Sequence, residues 1–226
     1  MELLAIRLGW QKTPAKSLVI DPRSSILAAG LLFASGAFAG TQAYTPLSAS
    51  VRAVLQHSVS DQAAPKLVFA TQSEADAWLN TMSSRLQKYL PDVDHRMDFL
   101  KTVHYEATRA GLDPQMVLGL IEVESSFMKY AVSRSGARGY MQVMPFWVKV
   151  IGTKEHNLFH LRINLRYGCT ILRHYLDMEK GNIFRALGRY NGSVGKPEYP
   201  NRVRAAWRNH WSLPERTVGN YTPPAS

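Results

Sequence analysis

The chain has 226 residues, 46% hydrophobic and 19% charged, enough apolar material for one globular domain with some extension and too little charge for general disorder. The net charge of +10 favours a polyanionic partner, whether nucleic acid, an acidic membrane surface or an anionic polymer. Cys169 is the only cysteine, so an intrachain disulfide and a cysteine zinc cluster are excluded, and the thiol is expected as a small buried hydrophobe.

Residues 26–39 form an apolar, uncharged run, preceded by Lys12, Lys16 and Arg23 and ending in the small-residue cleavage pattern Ala37-Phe38-Ala39. Such a run is shorter than the about 20 residues of a membrane-spanning helix. Residues 1–39 therefore read as an export segment cleaved after Ala39, with a buried helix or a retained anchor as the alternatives. Cleavage would remove four bases (Arg7, Lys12, Lys16, Arg23) and two acids (Glu2, Asp21), leaving the mature chain at +8. The long stretch before the apolar run leaves a start downstream of Met1 open.

Residues 40–91 read as a helical lead. A short helix is expected over Leu47–Val59, and Thr71-Gln72-Ser73-Glu74 is a capping box for a second, carrying Ala75, Leu79, Met82, Leu86 and Tyr89 at helical spacing. Pro91 ends it. Asp92 or Asp94 can cap the next helix, with the stripe Val93, Met97, Leu100, His104 and Ala107 and Gly111 as its stop.

Asp113 and Pro114 suit the cap and first position of a further helix. At about 100° per residue, Met116, Val117, Leu120, Ile121, Val123 and Phe127 share one side, and Glu124 falls inside their arc. Glu122 lies about 200° from it and faces the other way. A carboxyl among apolar neighbours keeps its proton more readily, which makes Glu124 a candidate general acid. Periodicity alone equally allows a Glu at the stripe's edge with its head in water.

Ser133–Gly139 is small and polar, hence a loop. Tyr140–Ile151 is expected as a short helix with Pro145 near its start or at a break. Asn164 can cap another, with Leu165, Gly168, Cys169, Leu172, Tyr175 and Leu176 on one face and Gly181 closing it. A helix over Asn182–Gly188, a loop over Tyr190–Pro197, a last helix from Pro200 to Trp211 and a Pro-containing tail (213–226) complete the chain. Alternating strand patterns are nearly absent, so the fold class is mainly α.

Four ordered fragments then carry a resemblance: Glu124-Ser125; Gly139-Tyr140-Met141-Gln142-Val143-Met144-Pro145; Asn164 through Gly168; and Arg189-Tyr190-Asn191-Gly192. Together, over roughly residues 92–212, they resemble the catalytic domain of soluble lytic transglycosylases, relatives of goose-type lysozyme that cleave peptidoglycan. The resemblance implies a lysozyme-like catalytic domain at 92–212, with Glu124 as the sole catalytic acid and base. It would protonate the oxygen linking N-acetylmuramic acid to N-acetylglucosamine, then take a proton from the muramic 6-hydroxyl as a 1,6-anhydro ring closes. A hydrolytic glycosidase normally needs a second carboxylate across the bond. No other downstream acid has the context of a nucleophile: Glu155, Asp177, Glu179 and Glu215 read as solvated charges.

The resemblance further implies that Ser125 orients Glu124, that Gln142 hydrogen-bonds the glycan, and that Tyr190 closes the cleft near Glu124. Ser133, Met144, Asn191 and Glu198 are implied as sugar contacts, the last because Glu198–Val203 resembles a family stretch with a saccharide-binding Glu. Met141 belongs to the core. Tyr140 departs from the family's Leu, and Asn191-Gly192-Ser193 moves a glycine forward by one position.

No cofactor and no metal site are expected. His156 and His160 are four apart but lack an HExxH context and a third ligand. The expected partner is the peptidoglycan glycan strand, with the chain a monomer in the periplasm or cell envelope, and a role beside a cell-envelope machine stays open. A lysozyme-type hydrolase and a non-catalytic wall-binding protein are the competing readings. Nucleic acid, suggested by Arg185, Arg189, Lys196, Arg202, Arg204 and Arg208, is disfavoured by the export segment.

Overall fold

The computed structural model describes residues 42, 44–60, 63 and 66–213. The expected export segment and the tail beyond residue 213 lie outside these residues. Within them the chain forms eight α-helices, a π turn and no strand, as the periodicity predicts. The helices are α1 (Ala49–Ser60), α2 (Gln72–Leu86), α3 (Val93–Arg109), α4 (Pro114–Ser125), α5 (Phe146–Ile151), α6 (Leu161–Met178), α7 (Ile183–Asn191) and α8 (Glu198–Ala206), and the π turn spans Trp207–Trp211.

Most helix starts follow the cap chemistry. Thr71 Oγ1 accepts from the Glu74 N–H at 3.2 Å, while the Glu74 carboxylate reaches back to the Ala70 N–H. Asp92, not Asp94, caps α3 through the His95 N–H, and Asp113 caps α4 through the N–H groups of Gln115 and Met116. Asn182 caps α7. That helix runs on through Tyr190 and Asn191, and Gly192 ends it in the left-handed region at φ 75°.

Two expectations fail on the same segment. Tyr140–Val143 is not helical: Arg138 pairs with Val132 and with Val143 in antiparallel bridges, and Gln142 takes φ 49°, which no helix accommodates. The helix there begins only after Pro145. Asn164 does not cap α6 either. It sits inside the first turn, fully buried, and its carboxamide crosslinks that loop: Oδ1 accepts from the Met141 N–H at 2.8 Å, and Nδ2 donates to the carbonyls of Arg138 and Leu158 at 2.9 and 2.8 Å. The last helix starts earlier than expected, because Pro200 fits the first turn, where its missing N–H costs nothing.

Helix α4 is the axis of the core, packed by α3, α8 and the π turn, while α6 joins α3 to α7. Gly119 allows this: a Cβ there would lie 2.7 Å from the backbone nitrogen of Trp207. Leu55 and Val59 of α1 and Trp78, Leu79, Met82 and Leu86 of α2 enter the same apolar cluster as Phe99, Val117, Leu120 and Ile121. Full burial of each such side chain contributes about 1.5–3 kcal/mol, which a chain with no disulfide needs. Cys169 is buried in this core.

Candidate active site

Helix α4 delivers its carboxylate at its last turn. Ser126 and Phe127 both adopt positive φ (48° and 62°), so the chain leaves the helix abruptly after Ser125. Two successive left-handed non-glycine residues cost about 1–2 kcal/mol each. The Phe127 ring, 2% exposed among Tyr89, Phe99 and Trp211, anchors the turn.

Glu124 is 3% exposed, inside the apolar arc that the periodicity drew. Burial of its carboxyl pushes its pKa up from 4.5 to about 8, and two weaker influences act the other way, a hydrogen bond from Tyr199 and the charge of Arg202. Tyr199, one residue into α8 and buried, donates its hydroxyl to Glu124 Oε1 at 2.5 Å. The Arg202 guanidinium lies 5.9 Å from the Tyr199 ring centroid.

Glu122 faces the opposite side of α4 and has the opposite surroundings. It accepts from Tyr89 Oη at 2.9 Å and Trp211 Nε1 at 2.7 Å, and His210 Nδ1 lies 2.9 Å from both its oxygens. Two glutamates two positions apart thus differ in kind, one held dry and the other saturated with donors.

The remaining sequence candidates fall into two groups. Ser125, Gln142 and Tyr190 are buried and bind backbone carbonyls near Glu124. Ser125 Oγ donates to the Tyr140 carbonyl at 2.7 Å, tying the end of α4 to the 140s loop. Gln142 Nε2 donates to the carbonyls of Gly139 and Ala131, so its Oε1 is the atom left to accept from a ligand. Tyr190 donates to the Met141 carbonyl at 2.7 Å, and burial followed by the nearby Glu124 charge holds its pKa well above 10. Ser133, Met144 and Asn191 are half-buried and Glu198 is exposed. Ser133 Oγ accepts from the Ala137 N–H, and Asn191 keeps a buried Oδ1 without a partner.

Tyr140 is accommodated rather than disruptive. Its ring is fully buried 4.9 Å from Phe99, its hydroxyl lies 3.4 Å from His95 Nε2, and burial pushes its pKa up to about 12. Met141 packs under Gly168, where a Cβ would come within 2.3 Å of the Met141 sulfur. That contact is the physical content of the Asn164–Gly168 fragment.

Tyr199 is the residue that sequence reasoning missed. The Glu198–Val203 stretch drew attention through its acid, yet Tyr199 and Val203, four apart, are among the residues that α8 buries, while Glu198 is exposed. Other readings are also redrawn. Arg185 and Arg189 both ion-pair with Glu179, whose side chain is only 6% exposed, so Glu179 is not the solvated charge expected and both arginines already have a carboxylate partner. His156 bonds the Tyr167 hydroxyl at 2.7 Å. Among the described residues no His, Cys, Asp and Glu group could hold a metal ion, and no helix is long and apolar enough to cross a membrane. A cavity of about 620 Å³ lies away from Glu124, bordered by Val51, Val54, Arg109, Gly111 and His174.

Residues 101–206 match a family model described as a transglycosylase SLT domain. Among similar proteins, a transglycosylase of Enterobacteria phage PRD1 is 28% identical over 109 residues, 48% of this chain and 40% of that protein. A membrane-bound lytic murein transglycosylase C of Actinobacillus pleuropneumoniae (serotype 5b, strain L20) is 49% identical over 47 residues, 21% of this chain and 13% of its own length. One of the same name from Histophilus somni (strain 2336) is 38% identical over 66 residues, 29% of this chain and 15% of that protein. The chain spans less than half the length of each of these relatives.

Proposed function

With residues 101–206 forming a transglycosylase SLT domain, we propose that this chain is a peptidoglycan lytic transglycosylase of the cell envelope, exported through residues 1–39. Its catalytic unit is assigned to residues 92–212, preceded by the helical lead at 40–91. The observation that carries the reading is Glu124, a buried carboxyl whose pKa is raised to about 8 and which accepts a hydrogen bond from the Tyr199 hydroxyl.

Such a carboxyl can act in both directions. In the first step Glu124 gives its proton to the oxygen between N-acetylmuramic acid and N-acetylglucosamine, and the bond from that oxygen to the muramic anomeric carbon breaks. The acetamido oxygen of the muramic sugar supports the positive charge. In the second step the Glu124 carboxylate takes the proton of the muramic 6-hydroxyl, and that oxygen bonds to the anomeric carbon. The ring closes, Glu124 is again neutral, and no water is consumed. A pKa near the working pH serves both halves, since neither protonation state is far out of reach. The Tyr199 hydroxyl and the Arg202 charge favour the carboxylate and so assist the second half.

The surrounding roles follow from chemistry. Gln142 Oε1 and Asn191 Oδ1 accept from sugar N–H and O–H groups, and Ser133 and Glu198 add polar contacts. Met144 supplies surface for a sugar face, and Tyr190, buried and bonded to the Met141 carbonyl, closes the cleft near Glu124 from behind. Ser125 positions Glu124 indirectly, by fixing the end of α4 to the loop of Tyr140.

Digestion of cell-wall sacculi by the purified full chain, with mass spectrometry of the soluble products, tests the reading. Muropeptides lighter by one water, ending in 1,6-anhydromuramic acid, are expected. Reducing ends would make the chain a hydrolase, and an absence of soluble products would leave it a wall-binding protein.

A further inference from the structure

The loop between Glu124 and Gln142 carries a surface that the reaction does not use. Tyr130 is 70% exposed and Val132 60%, in a segment that also contains Ser133. The Tyr130 ring lies 5.7 Å from that of Phe159, Lys129 Nζ lies 5.2 Å from the Tyr130 centroid, and the Arg138 guanidinium lies 5.8 Å from the Phe159 centroid. Two rings and two cations thus interleave on one face, and the exposed Arg134 stands at the loop's tip.

The cations of this face are not neutralised: the arginines around Glu106, Asp177 and Glu179 are ion-paired, whereas Lys129, Arg134 and Arg138 have no carboxylate partner among the described residues. An exposed ring backed by a half-buried one, with unneutralised cations beside them, suits a polymer that offers both flat apolar faces and anionic groups. The backbone joins the patch to the groove: Ala131 accepts from Gln142 Nε2 and from the Gly139 N–H.

We propose that Lys129, Tyr130, Arg134, Arg138 and Phe159 form a docking surface for the stem peptides of the glycan strand, their carboxylates meeting the cations while the rings stack on the strand. The identity of the polymer rests on the function proposed above; the patch and its charge do not. This surface would hold a strand that carries peptides in preference to one that has been stripped of them.

Cosedimentation of the full chain in the Glu124→Gln background tests this without turnover. The targets are intact sacculi, sacculi whose stem peptides have been removed by an amidase, and vesicles of phosphatidylglycerol. The parent should bind intact sacculi better than stripped ones, and the preference should fade as salt rises. Replacing Lys129, Arg134 and Arg138 together by Gln should weaken binding to intact sacculi roughly tenfold and to stripped sacculi little. Tyr130→Ala should weaken both, and Arg134 and Arg138 changed to Lys should restore the preference. These positions are on the surface, so unchanged melting curves are expected. Equal binding to intact and stripped sacculi, or unaltered binding by the triple variant, would overturn the proposal. So would a defect confined to the vesicles, which would assign the patch to a membrane. The wild-type product assay reports on catalysis separately: it can fail while this preference holds, and the preference can vanish from an active enzyme.

Discussion

Tyr199 donates its phenolic proton to Glu124 Oε1, joining the start of α8 to the end of α4 across 75 positions of sequence. The bond is buried at both ends, so water does not compete for it. Its chemical sense is one-sided. A donor to Oε1 helps the carboxylate form, while burial of the carboxyl helps the acid form and is the larger influence. The balance between them sets the pKa of Glu124 and, in the proposed reaction, when it would give its proton and when it would take one back.

Glu124→Gln should abolish anhydromuropeptide release, lowering the rate on sacculi by at least a hundredfold, within the range usual for a lost general acid. The same variant should be more stable than the parent at neutral pH. The folded pKa of about 8 exceeds the unfolded value of 4.5, so the folded state holds the extra proton between those limits. Stability from this group is then full below pH 4.5 and is lost as pH rises towards 8. By pH 7 the loss is on the order of 3 kcal/mol. Urea unfolding of both proteins at pH 4 and pH 7 checks this: the gap should be small at pH 4 and wide at pH 7.

The reaction opens with a neutral acid, so kcat/KM should hold level across the neutral range and fall above about pH 8. The limb should approach a tenfold loss per pH unit. A pH series on a soluble glycan fragment measures it, and a limb near pH 5 instead would show that Glu124 titrates as an ordinary exposed carboxyl.

Tyr199→Phe removes one hydroxyl and keeps the ring under Arg202. With its donor gone, the Glu124 carboxylate loses a stabilising contact, so the alkaline limb should move to higher pH while kcat drops about tenfold, equivalent to one charge-assisted hydrogen bond. KM should change little. A variant with the parent's pH profile would make the tyrosine a packing residue only.

Asn164→Asp keeps the size of the side chain and turns Nδ2 into an acceptor facing the carbonyls of Arg138 and Leu158. Two donated bonds become two repulsions, and the fully buried site offers no water to relieve them. A stability loss of about 2–4 kcal/mol is expected. Because the same carboxamide holds the Met141 N–H, KM should also rise as the Gln142 loop loosens. Thermal melting and steady-state kinetics on one preparation separate the two effects.

What the sequence disclosed, and what it withheld, divides along the range of the interactions. Thr71 and Asp113, and Asp92 as one of two candidates, were legible because a cap bonds residues two or three positions on. Glu124 was legible because a helix of known pitch places it among apolar neighbours. Asn164 misled for the opposite reason: a carboxamide suits a cap and a crosslink equally, and its partner Met141 lies 23 residues away. Tyr140–Val143 read as helical because the positive φ of Gln142 leaves no mark on composition. Tyr199 stayed hidden beside the more conspicuous Glu198, since no local pattern says which of two adjacent side chains an incoming helix will bury. The resemblance singled out Ser125, Gln142 and Tyr190, and in the three-dimensional structure each donates to a backbone carbonyl, a partner that no local pattern names.

The donors on Glu122 give α4 a second use. A helix gripped at one carboxylate by Tyr89, His210 and Trp211 cannot turn or slide without breaking those bonds, and any such movement would displace Glu124 on the far side. The Trp211 indole N–H therefore serves as a gauge of α4 read from behind. Its nitrogen-15 resonance is expected to shift when a glycan added to the protein moves Glu124, on the opposite side of that helix from Glu122.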